Sequence, residues 1–158
     1  MRAASLRTWA VAPPSGIGGG YWLFVEITSD SGVTGVGECY GIPHGPDVAR
    51  RIVEDVFERH IEGEDPRRVE RLFRRVYSAG FTQRPDLGLM GAFSGLEIAL
   101  WDLVGKESGQ PVHALLGGAF HDRLRTYTYL SPASVHDPSL DPAPEADPYH
   151  EPEAAAAR

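Results

Sequence analysis

From Gly91 to Gly118 the chain reads GAFSGLEIALWDLVGKESGQPVHALLGG, a run that is apolar on nearly every helical face. A helix of that kind must be buried on most of its faces, so it has to be the centre of whatever forms around it. Gly91, Gly95 and Ala99 recur every four residues and make a smooth strip where another element can approach closely. Gly109 and Pro111 supply the stop, and HALLGG beyond them reads as a compact turn. The extended run RLRTYTYL, Arg123 to Leu130, follows. After Leu130 the sequence becomes acidic, and six prolines in its last 28 residues forbid a packed helix over most of them. A helix restarts only at HEPEAAAAR, and isolated helices shorter than ~12 residues are marginal in water. The expectation is the front part of a larger protein, whose remaining body packs against the apolar helix and the strand after it.

The segments before that helix predict an α+β domain. Ser5 to Val11 is a strand candidate, and PPSGIGGG (Pro13 to Gly20) is too glycine-rich for regular structure. YWLFVEITS (Tyr21 to Ser29) alternates, with Leu23, Val25 and Ile27 on one face. Asp30-Ser31-Gly32 turns the chain and Val33 to Tyr40 returns, giving three antiparallel strands. After the loop GIPHGP, Asp47 to Ile61 predicts a helix with Val48, Ile52, Val56 and His60 along its inner stripe and Val53 and Phe57 beside it. Asp65-Pro66 has the form of a second helix start, with Val69, Leu72, Phe73 and Val76 facing inward and Gly80 at the stop. The loop Phe81 to Leu89 then leads into the apolar helix.

A length of 158 residues admits one domain, or one with a piece of another. Of the net charge of −7, the segment from Ser131 to Arg158 carries −5, so the body is close to neutral. Such a body gives no electrostatic reason to expect nucleic acid or a membrane surface as partner. Cys39 is the single cysteine, which excludes an internal disulfide and fits a reducing compartment. No apolar run looks long enough to span a bilayer and the N-terminus lacks a signal-type apolar core, so a cytoplasmic location is expected.

Several residues invite functional readings. Gly18-Gly19-Gly20 precedes a strand rather than opening a helix, so the geometry of an anion cradle is missing and a flap over Ser15 to Tyr21 fits better. Glu97 and Asp102 sit on an apolar helix, where carboxylates are more often hydrogen-bonded structural groups than reacting ones. RRVERLFRR (Arg67 to Arg75) is interrupted by Glu70 and reads as a solvated or subunit-facing surface. His60, His113, His121, His136 and His150 show no metal-ligand spacing.

Taken in order, the hairpin strand, VGECYG, three helices, GLEIALWDLVGK, PVHALLGG and RLRTYTYL resemble the N-terminal region of the enolase superfamily. The similarity is to its mandelate racemase/muconate-lactonizing branch, and especially to the sugar-acid dehydratases. The GLEIALWDLVGK…LLGG block is the specific part; the hairpin alone would be weak. The resemblance implies a capping domain over residues 1–122, then residues 123–158 as the start of a (β/α) barrel cut after its first strand. It implies an Mg²⁺-dependent dehydratase in which the metal stabilises an enediolate and a general acid helps expel the neighbouring hydroxyl. The metal ligands and the base belong downstream in the family pattern, and Lys106 does not match that base. No catalytic residue and no metal are therefore expected on this chain, which alone is expected to be inactive. The implied partners are a small-molecule sugar acid, the barrel domain and other copies in a homo-oligomer.

The resemblance also marks substrate-contacting positions. Tyr40, in the loop after the third strand, stands where the family places a specificity residue; it can equally pack at a domain seam. His44 in the same loop is a candidate contact or plain loop polarity. Arg84 can grip a carboxylate with its bidentate fork or be an ordinary turn arginine. Tyr129, at the end of the first barrel strand, matches a substrate-contacting position, while Tyr127 points the other way into the packing. A racemase or cycloisomerase would carry the same domain. A free-standing α+β interaction module is the reading outside the superfamily, and the apolar surface expected on the long helix argues against it.

Overall fold

The computed structural model describes residues 1–12, 20–80 and 86–127. Three strands, β1 (Ala3–Val11), β2 (Trp22–Ser29) and β3 (Thr34–Cys39), form one antiparallel sheet in the order β1-β2-β3. The alternation in β2 is realised as expected: Leu23, Val25 and Ile27 are fully buried on one face. The hairpin between β2 and β3 closes where the Asp30-Ser31-Gly32 signal stands, through Ser29 N–H donating to Val33 O at 2.8 Å. Ser29 is itself buried, and its hydroxyl is satisfied by Val33, whose N–H donates to Oγ at 3.1 Å.

The helices are α1 (Pro46–His60), α2 (Val69–Tyr77), α3 (Leu87–Ser108) and the short α4 (Val112–Leu115). In α1 the buried residues are Ala49, Val53, Val56 and Phe57, while Val48 is 54% exposed. The inner stripe is thus centred on Ala49, Val53, Val56 and Phe57, about one residue on from the expected one, and leaves Val48 on its outer edge. The second helix also starts later than Asp65-Pro66. Asp65 Oδ1 accepts from Arg67 N–H at 3.0 Å and the Asp65 carbonyl from Arg68 N–H at 3.0 Å, which makes a separate turn before α2 begins. That helix ends at Tyr77, ahead of Gly80. Val69, Leu72 and Val76 are buried as expected, and the Phe73 ring lies 5.9 Å from Phe93 in α3.

Helix α3 opens at Asp86, whose carboxylate accepts from Leu89 N–H at 2.7 Å, three residues earlier than the loop was expected to end. It closes at Gly109, in the left-handed region at φ 65°, with Gln110 N–H donating to Gly105 O at 2.9 Å. By length and mean hydropathy (1.4) α3 does reach the requirement for crossing a bilayer, contrary to the reading of the bare sequence. Its apolar surface is nevertheless spent inside the domain: eleven of its 22 residues are buried against the sheet, α1 and α2. Little is left uncovered, chiefly Leu87 and Ile98.

The closest packing in the domain is between α3 and β3, and glycines on both sides make it possible. A Cβ placed on Gly37 would lie 2.0 Å from Gly95 O, and one on Gly35 would lie 2.0 Å from Ala99 O. From the helix side, a Cβ on Gly95 would meet Cys39 Sγ at 2.2 Å. Main chain rests on main chain, so the smooth strip expected along Gly91, Gly95 and Ala99 meets a second smooth strip on the strand. Asp102 completes the joint. Its Oδ2 accepts from the edge amide of Val36 at 2.8 Å and from Lys106 Nζ at 2.7 Å, a structural carboxylate as the sequence suggested.

The chain divides into two compact units, one of Met1–Val11 with Tyr21–Ala119 and one of Ala12–Gly20 with Phe120–Arg158. In the second, the described residues show Phe120 and His121 in edge-to-face contact at 4.7 Å. No strand occurs over residues 123–127, and residues 128–130 of the expected strand lie outside the described part.

Candidate functional site

One rim of the first unit gathers the end of β3, the entry to β2 and the first turn of α3. It is built from the packing just described. Cys39 ends β3 with its thiol buried against α3, the Sγ donating to Ala92 O at 3.6 Å. Burial, with a smaller push from Glu38, raises that thiol to about 12, against a main-chain hydrogen bond from Gly95 that lowers it. At neutral pH it is a packed thiol and not a nucleophile. The next residue, Tyr40, places its carbonyl on the helix, 2.5 Å from where a Cβ of Gly91 would stand. Its side chain is 86% exposed, so Tyr40 is held by its backbone and presents its ring outward.

The loop then turns at Gly41, in the left-handed region at φ 78°, over the side chain of Leu87. His44 N–H donates to Ile42 O at 2.9 Å, a one-residue turn about Pro43. Gly88, in the first turn of α3, lies under Pro43 and the His44 ring. The His44 carbonyl accepts from Tyr21 Oη at 2.8 Å. Tyr21 is half-buried against the core, and burial, reinforced by the nearby Cys39, raises its phenol above the ordinary 10.0.

Of the residues marked from sequence, Tyr40 and His44 fall on this one loop, both exposed. Arg84 and Tyr129 lie outside the described residues. The stretch that carries Arg84 enters α3 through Asp86, directly before the Leu87 and Gly88 that support the loop. The sequence presents Tyr21 as the end of a flap and the start of a strand, not as a residue of this rim. Its signal was available, because it heads the alternating series Tyr21, Leu23, Val25, Ile27, and a tyrosine at the end of such a series buries its ring and sends its hydroxyl past the sheet. The arginine run is engaged in ion pairs: Arg67 with Glu107, Arg74 with Glu70 at 2.6 Å, and Arg75 with Glu64 at 2.7 Å. Glu97 is half-buried on α3. Among the described residues no three His, Cys, Asp or Glu side chains come together in a way that would hold a metal ion.

The family model for the N-terminal domain of mandelate racemase/muconate lactonizing enzymes matches residues 17–117. The chain belongs to this family, as an N-terminal capping region of the enolase superfamily. A D-galactonate dehydratase of Verminephrobacter eiseniae is 37% identical over 140 residues, which are 87% of this chain and 34% of that protein. A solved mandelate racemase/muconate lactonizing enzyme from Jannaschia sp. CCS1 is 49% identical with a TM-score of 0.85, covering 100% of this chain and 40% of that one. A solved enolase from Agrobacterium radiobacter, a candidate galactarate dehydratase with sodium and L-malate bound, is 32% identical with a TM-score of 0.69, over 84% and 32% of the two chains. The chain spans about a third of the length of the curated relatives it matches.

Proposed function

We propose that this chain is the substrate-capping domain of a sugar-acid (aldonate) dehydratase, and that its rim loop contributes to recognition of the sugar acid. The observation that carries the proposal is Tyr40: its backbone is fixed by Gly91 while its ring is 86% exposed, on the domain of a family that includes D-galactonate dehydratases. A fixed, outward-facing phenol suits a polyol, since its ring can pack on C–H groups while its hydroxyl donates and accepts. His44 adds a second polar group on the same loop, and Arg84 is the side chain suited to a carboxylate.

The family reading implies Mg²⁺ for the whole enzyme, but the described residues offer no ligand set for it. The work assigned to this chain is therefore binding, orientation and exclusion of water above the reacting centre, with no proton or metal step. The dehydratase reading is favoured over a racemase or cycloisomerase by the D-galactonate dehydratases among the relatives.

The test uses the 158-residue chain and the intact enzyme that carries this domain on a barrel. With D-galactonate and Mg²⁺ the chain alone should form no 2-keto-3-deoxy acid, while the intact enzyme should form it from D-galactonate or another aldonate. Tyr40→Ala in the intact enzyme should raise KM by about five- to tenfold, the worth of one good hydrogen bond with some packing. Turnover by the chain alone, or an intact enzyme that only racemises or cycloisomerises its substrates, would overturn the proposal.

A further inference from the structure

The loop that carries Tyr40 and His44 has three supports. Its first residue rests on Gly91, its middle on Leu87, Gly88 and the core that Ile42 packs against, and its last part on a single hydrogen bond, Tyr21 Oη to His44 O at 2.8 Å. The first two are packing contacts with α3 and the core, which the packing of the whole domain fixes. The third is different in kind. Leu23 and Cys39 are the last paired residues of β2 and β3, so Tyr21 lies past the point where strand pairing holds the two chains together. At that place the phenol substitutes for the missing ladder bond.

Local alternatives for the His44 carbonyl are few. It stands one residue before Gly45, whose own carbonyl accepts the first α1 bond, from Ala49 N–H at 3.0 Å. It is thus outside the helix ladder and takes no main-chain partner among the described residues. The His44 amide is used in the turn about Pro43, which shapes the loop but ties it to nothing else. Without the phenol, the part of the loop between Gly41 and the start of α1 would be held by packing alone: Gly41 over Leu87, Ile42 against the core, and Pro43 and His44 over Gly88. The donor is dependable: the ring packs against the core, and burial raises the phenol above its ordinary value, which favours the protonated form that donates.

We propose that Tyr21 is a positioning residue, whose hydroxyl sets the height and orientation of the Tyr40–His44 loop over the substrate and thereby the enzyme's choice among aldonates. This rests on the capping function proposed above. Tyr21 touches no reacting atom in this scheme. It acts through His44, so its loss should change discrimination and KM more than the rate of the chemical step.

Tyr21→Phe is the appropriate variant, because the ring stays in the core and only the hydroxyl leaves. Two measurements test it. In the 158-residue chain, hydrogen exchange read by mass spectrometry should become about fivefold faster for peptides covering residues 41–45, the ratio that one neutral hydrogen bond controls, with α3 unchanged. In the intact enzyme, the kcat/KM ratio between the preferred aldonate and its nearest epimer should fall by about the same factor, through KM, with the melting temperature nearly unchanged. Unaltered exchange overturns the tether. Faster exchange with an unaltered epimer ratio overturns the positioning role and leaves only a structural bond. A wild-type enzyme that dehydrates no aldonate brings down the capping reading instead, and exchange in the chain alone then decides whether the tether stands.

Discussion

Cys39 shows how one residue reports on its surroundings. Its thiol is enclosed by the α3 main chain, and burial raises it from 9.0 to about 12. The unfolded chain therefore loses the thiol proton more readily than the folded one, and linkage sets the sign. The stabilisation is complete below pH 9.0 and is lost progressively as pH rises towards about 12. Denaturant midpoints measured from pH 7 to 11 should fall on the alkaline side, and Cys39→Ala should flatten much of that slope while costing some packing at pH 7. A residual slope is expected from Tyr21, whose phenol is raised as well. An equally steep fall in the Cys39→Ala variant would show that the thiol is not the source. At this scale the sequence was legible where a residue acts through its own shape, as with the alternating Leu23, Val25 and Ile27. It was less so where a residue acts by reaching elsewhere, as Tyr21 does towards His44.

At the scale of elements, the α3–β3 joint decides the fold. The strip of Gly91, Gly95 and Ala99 was readable because helical periodicity is a property of one segment. Its counterpart was not recognised, since Gly35 and Gly37 in a short strand also suit a bulge or a weak edge. Only the register brings the two strips together. Gly37→Ala would force a methyl to within 2.0 Å of Gly95 O, a main-chain atom that cannot rotate away. The expected cost is ~2–4 kcal/mol, at or above the usual penalty for overpacking, read as a lowered urea midpoint with an unchanged slope. A loss below ~0.5 kcal/mol would mean that helix and strand can separate freely. The same dependence on neighbours explains the rotated stripe of α1 and the late start of α2: patterns give the element, while its facing partner settles the phase and the ends.

For the whole molecule, the buried α3 changes what the chain is expected to do alone. A helix so apolar suggested dependence on a missing body, but the sheet, α1 and α2 already bury half of its residues. A chain of residues 1–119, which contains the whole of the first unit, should give one cooperative thermal transition with matching calorimetric and van't Hoff enthalpies. Retained helix signal with no near-ultraviolet signal and strong dye binding would contradict this. The family could be read from GLEIALWDLVGK…LLGG, of which all but the final Gly118 lies within the matched range. The positions of Arg84 and Tyr129 were not open to the same check, because both stand outside the described residues.

The glycine joint has one further consequence. Most cores can absorb a substitution by trading volume among neighbouring side chains, so that an error in one place is diluted over many. Where Gly37 meets Gly95 there is no volume to trade. Any added atom must displace the strand or the helix as a body, and Cys39 is joined directly to Tyr40. The joint works as a mechanical datum, a fixed level from which the height of the Tyr40 loop is measured. Drift there would show as a misplaced Tyr40 ring before it showed as an unfolded domain.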